Sequence, residues 1–349
     1  MNILIIRFSS LGDVILIRPV LSALHKKYPK VKVTILSNKN FKTLFDFDNR
    51  IRFVGIDFKS REGKILNLIR EVDKLNRESQ FDFIYDLHDV IRTKVIRNLF
   101  RSNITRVYDK GRIEKKELIS KRVKVKKLKH TTVRYLDCLK QDFPLIDSKD
   151  LLDKIPPSDQ PLQKTIGIAP FSKHLSKTWP LEKYNEIIAS FKDFNFIIFA
   201  FGDQERNLAK EKMKSGKLIE QNLNLNEQLD LMNKLSVMIS MDSANMHLAS
   251  LSNTKVISIW GSTHPCVGFG PLNNGEYVIK GFEDEELNRP LSVFGKVNKQ
   301  DFKKSKERLE HISSVKVIQM IKKALSDYAF SKEYVKLSII WLQSNLLHA

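Results

Sequence analysis

The chain has 349 residues, 42% of them hydrophobic and 29% charged, and its 60 Lys and Arg against 40 Asp and Glu give a net charge of +20. The apolar fraction excludes a disordered tail protein, and the length predicts about two domains with ample core. Cys138 and Cys266 lie far apart and in no C-x-x-C pattern, which argues against a disulfide framework or structural zinc and fits a reducing, cytoplasmic setting.

Residues 2–8 form a short, β-branched apolar run that predicts a buried parallel strand. The run before Arg7 is too short for a signal-peptide core or a spanning helix, and so is 338–342, so a soluble protein able to touch a membrane surface is expected. After Ser9-Ser10-Leu11-Gly12-Asp13, the apolar residues Val14, Ile17, Leu21, Leu24 and Tyr28 suit one face of a helix. Pro19 either kinks that helix or opens it, and Pro29 stops it. Strands are expected at 31–36, 52–56 and 81–87, with a helix at 65–75, an alternation that predicts a parallel sheet with right-handed crossovers.

Residues 148–164 read as a proline-bearing linker, after which the alternation restarts. Strands are expected at 165–169, 194–199, 237–241 and 255–260, and helices at 180–191, 205–213 and 243–251. From Phe302 onward the text is helical and charged, ending in Tyr334, Leu337, Ile340, Trp341 and Leu346. The expected organisation is one Rossmann-like α/β domain at 1–155, a second at 156–325, and a C-terminal helix at 326–349 packing back on the first domain.

The Ser9–Asp13 turn falls where open α/β sheets place ligands, at the C-terminal end of a strand. Gly12 permits close approach, and Ser10 and Asp13 either cap the helix or face a ligand. In Pro170–Pro180, Ser172 and Lys177 are suitable donors to phosphate oxygens, with Trp179 packed on the helix that Pro180 opens as the plainer reading. Asp242 ends a strand beside helix amides that suit an anion; its own charge makes it a helix cap or an acceptor from sugar hydroxyls rather than a phosphate ligand. His247 follows one turn later, and Trp260-Gly261-Ser262-Thr263 adds a second loop at that edge. Between Arg92 and Arg134 there are 16 Lys and Arg against three acids, a net +13 that suits an anionic partner. Few aromatics are interleaved, which disfavours a surface for stacking bases.

Together these segments carry a resemblance. The run 5–15 containing S-S-L-G-D, the K-T-W-P loop at 177–180, and D-S-A-N-M-H at 242–247 followed by W-G-S-T at 260–263 resemble the ADP-heptose:lipopolysaccharide heptosyltransferases over roughly residues 1–325. The resemblance implies a GT-B fold, two Rossmann-like domains with parallel sheets facing a central cleft whose closure assembles the site. It also implies an inverting, metal-independent glycosyltransferase that uses no cofactor and moves heptose from ADP-heptose to the Kdo-lipid A inner core of lipopolysaccharide, working as a peripheral protein on the inner face of the inner membrane. The family's base falls on Asp13. Its diphosphate-contacting lysine falls on Lys177, with Ser172 upstream, and its donor-holding stretch on Asp242, Ser243, Ala244 and His247. Ala244 replaces the usual glycine, which leaves open another nucleotide sugar in cell-surface glycan synthesis. For the anionic acceptor, the candidates are Ser10, Gly12, Arg61, Lys64, Arg92, Arg97, His130 and Arg134. No metal ligands are assigned, and no D-x-D pair sits in a loop at a strand end.

In such a displacement one carboxylate takes the acceptor hydroxyl's proton and faces the positive charge developing on the sugar. Fixed donors stabilise the leaving diphosphate. Two rivals remain at this stage, a nucleic-acid-binding protein suggested by charge alone and a sugar-nucleotide epimerase or hydrolase with no lipid acceptor.

Overall fold

The computed structural model describes residues 1–58, 64–102 and 104–327, the side chains at 64, 65 and 67 excepted. The chain divides into two compact units. One comprises Met1–Ile155 with the short segments Leu223–Gln228 and Cys266–Phe269, and the other the intervening residues and those from Gly270 on. The helix expected at 326–349 lies outside the described residues from 328 onward.

The first unit runs β1 (Asn2–Ile6), α1 (Leu11–Ile15), α2 (Arg18–Lys27), β2 (Lys32–Asn38), β3 (Ile51–Ile56), α3 (Lys64–Glu78), β4 (Phe83–Asp86), α4 (Ile91–Arg97), β5 (Ile104–Val107), α5 (Arg112–Ile119) and α6 (Thr131–Lys140). Its five strands are parallel, in the order β3-β2-β1-β4-β5. The central strand is buried from Ile3 to Ile6, as an apolar run covered on both faces must be. Leu68, Val72 and Leu75 recur at helical spacing along α3 and pack with Leu4, Ile6, Leu36 and Ile84 into one core. Burying each such side chain is worth about 1.5–3 kcal/mol.

Pro19 stands in the first turn of α2, where its missing N–H costs nothing, so the kink is in fact a break between α1 and α2. The strand expected to reach residue 8 ends at Ile6, because Arg7 turns aside to serve a buried ion pair. The stretch 92–134, read only as charge, folds into α4, β5, α5 and the start of α6.

The second unit holds β6 (Thr165–Ala169), α7 (Lys183–Ser190), β7 (Asn195–Ile198), α8 (Gly202–Lys212), β8 (Lys217–Leu218), the latter part of α9 (Leu225–Lys234), β9 (Val237–Met241), α10 (Ala244–Ala249), β10 (Lys255–Ile259), β11 (Val278–Ile279) and α11 (Lys299–His311), followed by a helix at 314–327. Its six parallel strands lie in the order β11-β10-β9-β6-β7-β8. Numbered from β6, that is the 3-2-1-4-5-6 arrangement of dinucleotide-binding sheets. Trp179 is fully buried with its ring edge-on to Tyr184 of α7, and its Nε1 donates to the carbonyl of Ile312 at 3.3 Å.

Candidate active site

In the first sheet the connections reverse direction between β1 and β4, and at such a switch point the C-terminal strand ends leave a crevice. Residues 7–13 leave β1 there and residues 87–90 leave β4. Asp13, buried in the first turn of α1, has three donors on one oxygen. Its Oδ2 accepts from the Ser10 N–H at 3.1 Å, the Ser10 hydroxyl at 2.7 Å and the Arg7 guanidinium at 2.8 Å. The first of these is the reciprocal half of a capping box, so the capping reading of Asp13 holds. Arg7 is the addition that sequence did not supply. Its guanidinium is buried, donates to the Tyr108 hydroxyl at 3.0 Å and to the Leu87 carbonyl, and lies 5.8 and 5.7 Å from the Tyr108 and Tyr135 ring centres. A cation so fixed holds the carboxylate in one orientation through a charge-assisted bond.

His88 completes this edge. Its Nδ1 accepts from the Phe8 N–H at 3.4 Å, which puts the ring proton on Nε2, 3.5 Å from the Ser9 hydroxyl. Burial, and then the charges of Arg7 and Lys110, push its pKa down to about 3. The unfolded chain takes up this proton near pH 6.5 and the folded chain only near 3, so stability falls as the pH drops through that window. Urea midpoints at neutral pH and at pH near 5 are expected to differ by less in His88→Gln than in the parent.

The acceptor candidates separate clearly. Ser10 is exposed and Gly12 half-buried beside Asp13, while Arg92, on α4, stacks 4.9 Å from the ring centre of Phe58. Arg97 is spent on the fold, its Nη1 3.0 Å from the fully buried Asp86. Arg134 is likewise committed, buried against Gly111, donating to Asp109 at 3.1 Å, to Glu114 and to the Lys129 carbonyl. His130 caps α6, its Nδ1 accepting from the Thr132 N–H at 3.2 Å. Arg61 lies outside the described residues, as does the side chain of Lys64.

Lys115 was not anticipated. It is buried in α5, its ammonium 4.8 Å from the ring centre of Phe269 and without a hydrogen bond or ion pair among the described residues. Burial and then the charge of Arg134 push its pKa down to about 8, against the pull of Asp13, Glu114 and Asp109. A buried cation with no direct ion pair costs stability, which makes Lys115 a candidate for meeting an anionic ligand.

In the second sheet the switch point lies between β6 and β9. The loop after β6 carries Ser172 and Lys177, and Asp242 ends β9. Lys177 Nζ is 3.1 Å from Asp242 Oδ2, the same oxygen accepts from the Thr263 hydroxyl at 2.6 Å, and the Ser172 hydroxyl donates to the Asp242 carbonyl at 3.3 Å. Both members of the ion pair are buried. The expectation that Asp242 caps the following helix is corrected. Ser243 holds the cap position, and the Asp242 carboxylate turns instead to Lys177, whose charge offsets the cost of burying it. His247 is buried in α10. Ala244 opens α10 in helical conformation and is not among the residues with positive φ, so glycine's left-handed freedom is not needed there.

The stem of Lys177 is seated by a residue far along the chain. At Gly295, with φ of +93°, a Cβ would stand 2.8–3.0 Å from Cγ, Cδ and Cε of Lys177, so only glycine fits both the backbone and the lysine. Around it the Ser262 hydroxyl donates to Ser176 Oγ at 2.9 Å, the Ser176 hydroxyl to the Gly295 carbonyl at 2.6 Å, and the Ser305 hydroxyl to the Ser176 carbonyl. Ser262 and Thr263 were legible as part of a loop at this edge; Gly295, Ser176 and Ser305 carried no sequence signal.

Comparison with known proteins bears on the family and the fold. Residues 65–297 match the family described as glycosyltransferase family 9 (heptosyltransferase). The lipopolysaccharide core heptosyltransferase OpsX of Haemophilus influenzae is 23% identical over 344 residues, covering 92% of this chain and 96% of that protein. The family 9 glycosyl transferase from Veillonella parvula superposes with a TM-score of 0.72 at 18% identity, covering 93% of this chain and 97% of that one. Heptosyltransferase WaaC of E. coli, solved with ADP, gives 0.67 at 15% identity, covering 93% and 100%. Two parallel α/β sheets, each with polar groups gathered at its switch point, and a family match over most of the chain lead to one conclusion: this chain is an enzyme of glycosyltransferase family 9, with the GT-B fold.

Proposed function

We propose that the enzyme transfers heptose from ADP-heptose to the Kdo-lipid A inner core of lipopolysaccharide by an inverting, metal-independent displacement on the cytoplasmic face of the inner membrane. The observation that carries this reading is the buried Lys177 ammonium, paired with Asp242 and seated on Gly295 at the switch point of the second sheet. It supplies fixed positive charge for a leaving diphosphate. The names of OpsX and of WaaC with ADP support the sugar, the nucleotide and the acceptor.

In this mechanism Asp13 takes the proton of the acceptor hydroxyl as its oxygen bonds to the anomeric carbon. The bond from that carbon to the diphosphate breaks, and ADP leaves with the electron pair. Arg7 and Ser10 aim the base. Ser172 and Lys177 meet the diphosphate, while Asp242, Ser243, Ala244 and His247 surround the donor sugar. α10 has only six residues, so its amides add little to the charge that Lys177 brings. The proposed acceptor contacts are Ser10, Gly12, Arg61, Lys64, Arg92 and His130, joined by Lys115, whose ammonium, in no ion pair among the described residues, suits a carboxylate or phosphate. Nucleic acid has no part in this reading. No helix among the described residues is long and apolar enough to cross a membrane, and the proposed membrane association is peripheral.

Calorimetry with ADP-heptose, ADP, UDP-sugars and GDP-sugars in the presence of EDTA tests the reading. Selective binding of ADP-heptose, and transfer to a Kdo-lipid A acceptor that EDTA leaves unchanged, are expected. Preference for another nucleotide overturns the donor assignment, and loss of transfer in EDTA overturns metal independence.

A further inference from the structure

The two most exposed large apolar side chains among the described residues are Ile91, 82% exposed, and Ile113, 75% exposed. Each stands at the start of a helix that follows a sheet strand, α4 after β4 and α5 after β5, so both belong to the sheet edge that carries Asp13. Asp89 ties the two together. Arg112 Nη2 reaches its Oδ2 at 2.8 Å and its carbonyl at 3.1 Å, and Lys110 Nζ reaches the same carbonyl at 2.9 Å.

From Ile91 the apolar surface continues one helical turn on at Val95, 47% exposed. On the neighbouring α3, which packs against α4, Leu66 in the first turn is 60% exposed. Cations flank these residues: Lys94 on α4, and Arg112 and Lys116 on α5, are all exposed. The enclosing stretch from Arg92 to Arg134 has a net charge of +13.

We propose that this edge is a membrane-docking surface, in which Ile91 and Ile113 insert at the head-group boundary of an anionic bilayer while the surrounding lysines and arginines lie against its phosphates. Isolated aliphatic tips separated by cations are the pattern of interfacial insertion, where apolar contact and attraction to anionic lipid add. A protein partner is the weaker fit, since the exposed side chains are aliphatic, whereas protein interfaces centre on aromatic anchors. The charge complementarity therefore favours lipid. This inference rests on the acceptor being lipid-linked, and it gives that reading a geometry: the surface that meets the bilayer surrounds the base.

The test is co-sedimentation of the full chain with vesicles of phosphatidylethanolamine and phosphatidylglycerol, and with phosphatidylcholine alone, in the absence of donor and acceptor. The parent is expected to bind the anionic vesicles and to lose binding as salt rises. The double variant Ile91→Ser with Ile113→Ser is expected to bind them about tenfold more weakly. Its ADP-heptose affinity and its turnover on a deacylated, water-soluble acceptor should match the parent, which shows that the fold is intact. Equal vesicle binding by variant and parent, or no preference of the parent for anionic vesicles, overturns the docking surface. Because neither substrate is present, such a failure leaves the proposed transfer reaction standing, whereas failure of donor binding bears on the reaction alone.

Discussion

Exchanging Asp13 for asparagine is expected to lower turnover by about a hundred- to ten-thousand-fold, the worth of a positioned general base, while ADP-heptose affinity stays within a few-fold. The carboxylate is the side chain proposed to take the proton, and the proposed donor contacts belong to the other sheet. The same change removes the counter-ion of Arg7, whose guanidinium keeps the Tyr108 hydroxyl, the Leu87 carbonyl and two aromatic rings. The fold is therefore expected to lose about 1–3 kcal/mol rather than collapse. Single-turnover assays with saturating donor, read beside urea unfolding, separate the two effects. Full turnover in the variant removes Asp13 from the chemistry.

The second large effect is expected at Lys177. Lys177→Ala leaves the Asp242 carboxylate buried with the Thr263 hydroxyl but no cation, at a cost of about 3 kcal/mol in stability. It also weakens ADP-heptose binding by about tenfold or more, through loss of a charge-assisted bond to phosphate. Adding Asp242→Asn removes the orphaned charge, so the double variant should regain most of the stability while donor affinity stays low. Unfolding midpoints and calorimetry on the two variants distinguish a lysine that binds from one that only neutralises a carboxylate. If donor affinity returns together with stability, the role of Lys177 is structural.

Most strands of both sheets, β1 to β4 and β6, β7, β9 and β10, could be read from the sequence because they are apolar runs at regular separations, and a parallel strand covered on both faces has no other way to be written; the short edge strands β5, β8 and β11 lack that signal. The loops that leave those strands, around Asp13, Lys177 and Asp242, were legible for the same reason: position relative to a strand end is local information. What escaped was long-range or masked by charge. Arg7 looks like the polar end of a strand, and only the fold brings Tyr108 and Tyr135 to its guanidinium. Gly295 is one glycine in a polar loop until Lys177 is laid against it. The basic stretch reads as a solvated face, yet it contains the edge strand β5, paired with β4, and two cations held by the fold, Arg97 on the buried Asp86 and the buried Arg134. Lys115 differs from its basic neighbours by burial alone.

The inclusion of Cys266–Phe269 in the first unit bears on how the protein is made. Leu128 and Thr131 donate their backbone N–H groups to the carbonyls of Cys266 and Gly268, each at 2.8 Å, and Val267 joins Leu118 and Leu128 in a small apolar cluster. During synthesis, residues 1–155 emerge well before this segment. At ~5–20 residues per second, the ring that covers Lys115 arrives roughly 6–23 s after Ile155. Until then the nascent first unit carries an uncovered apolar cluster and lacks the ring that lies against Lys115, so its final packing waits on a segment translated within the second half of the chain.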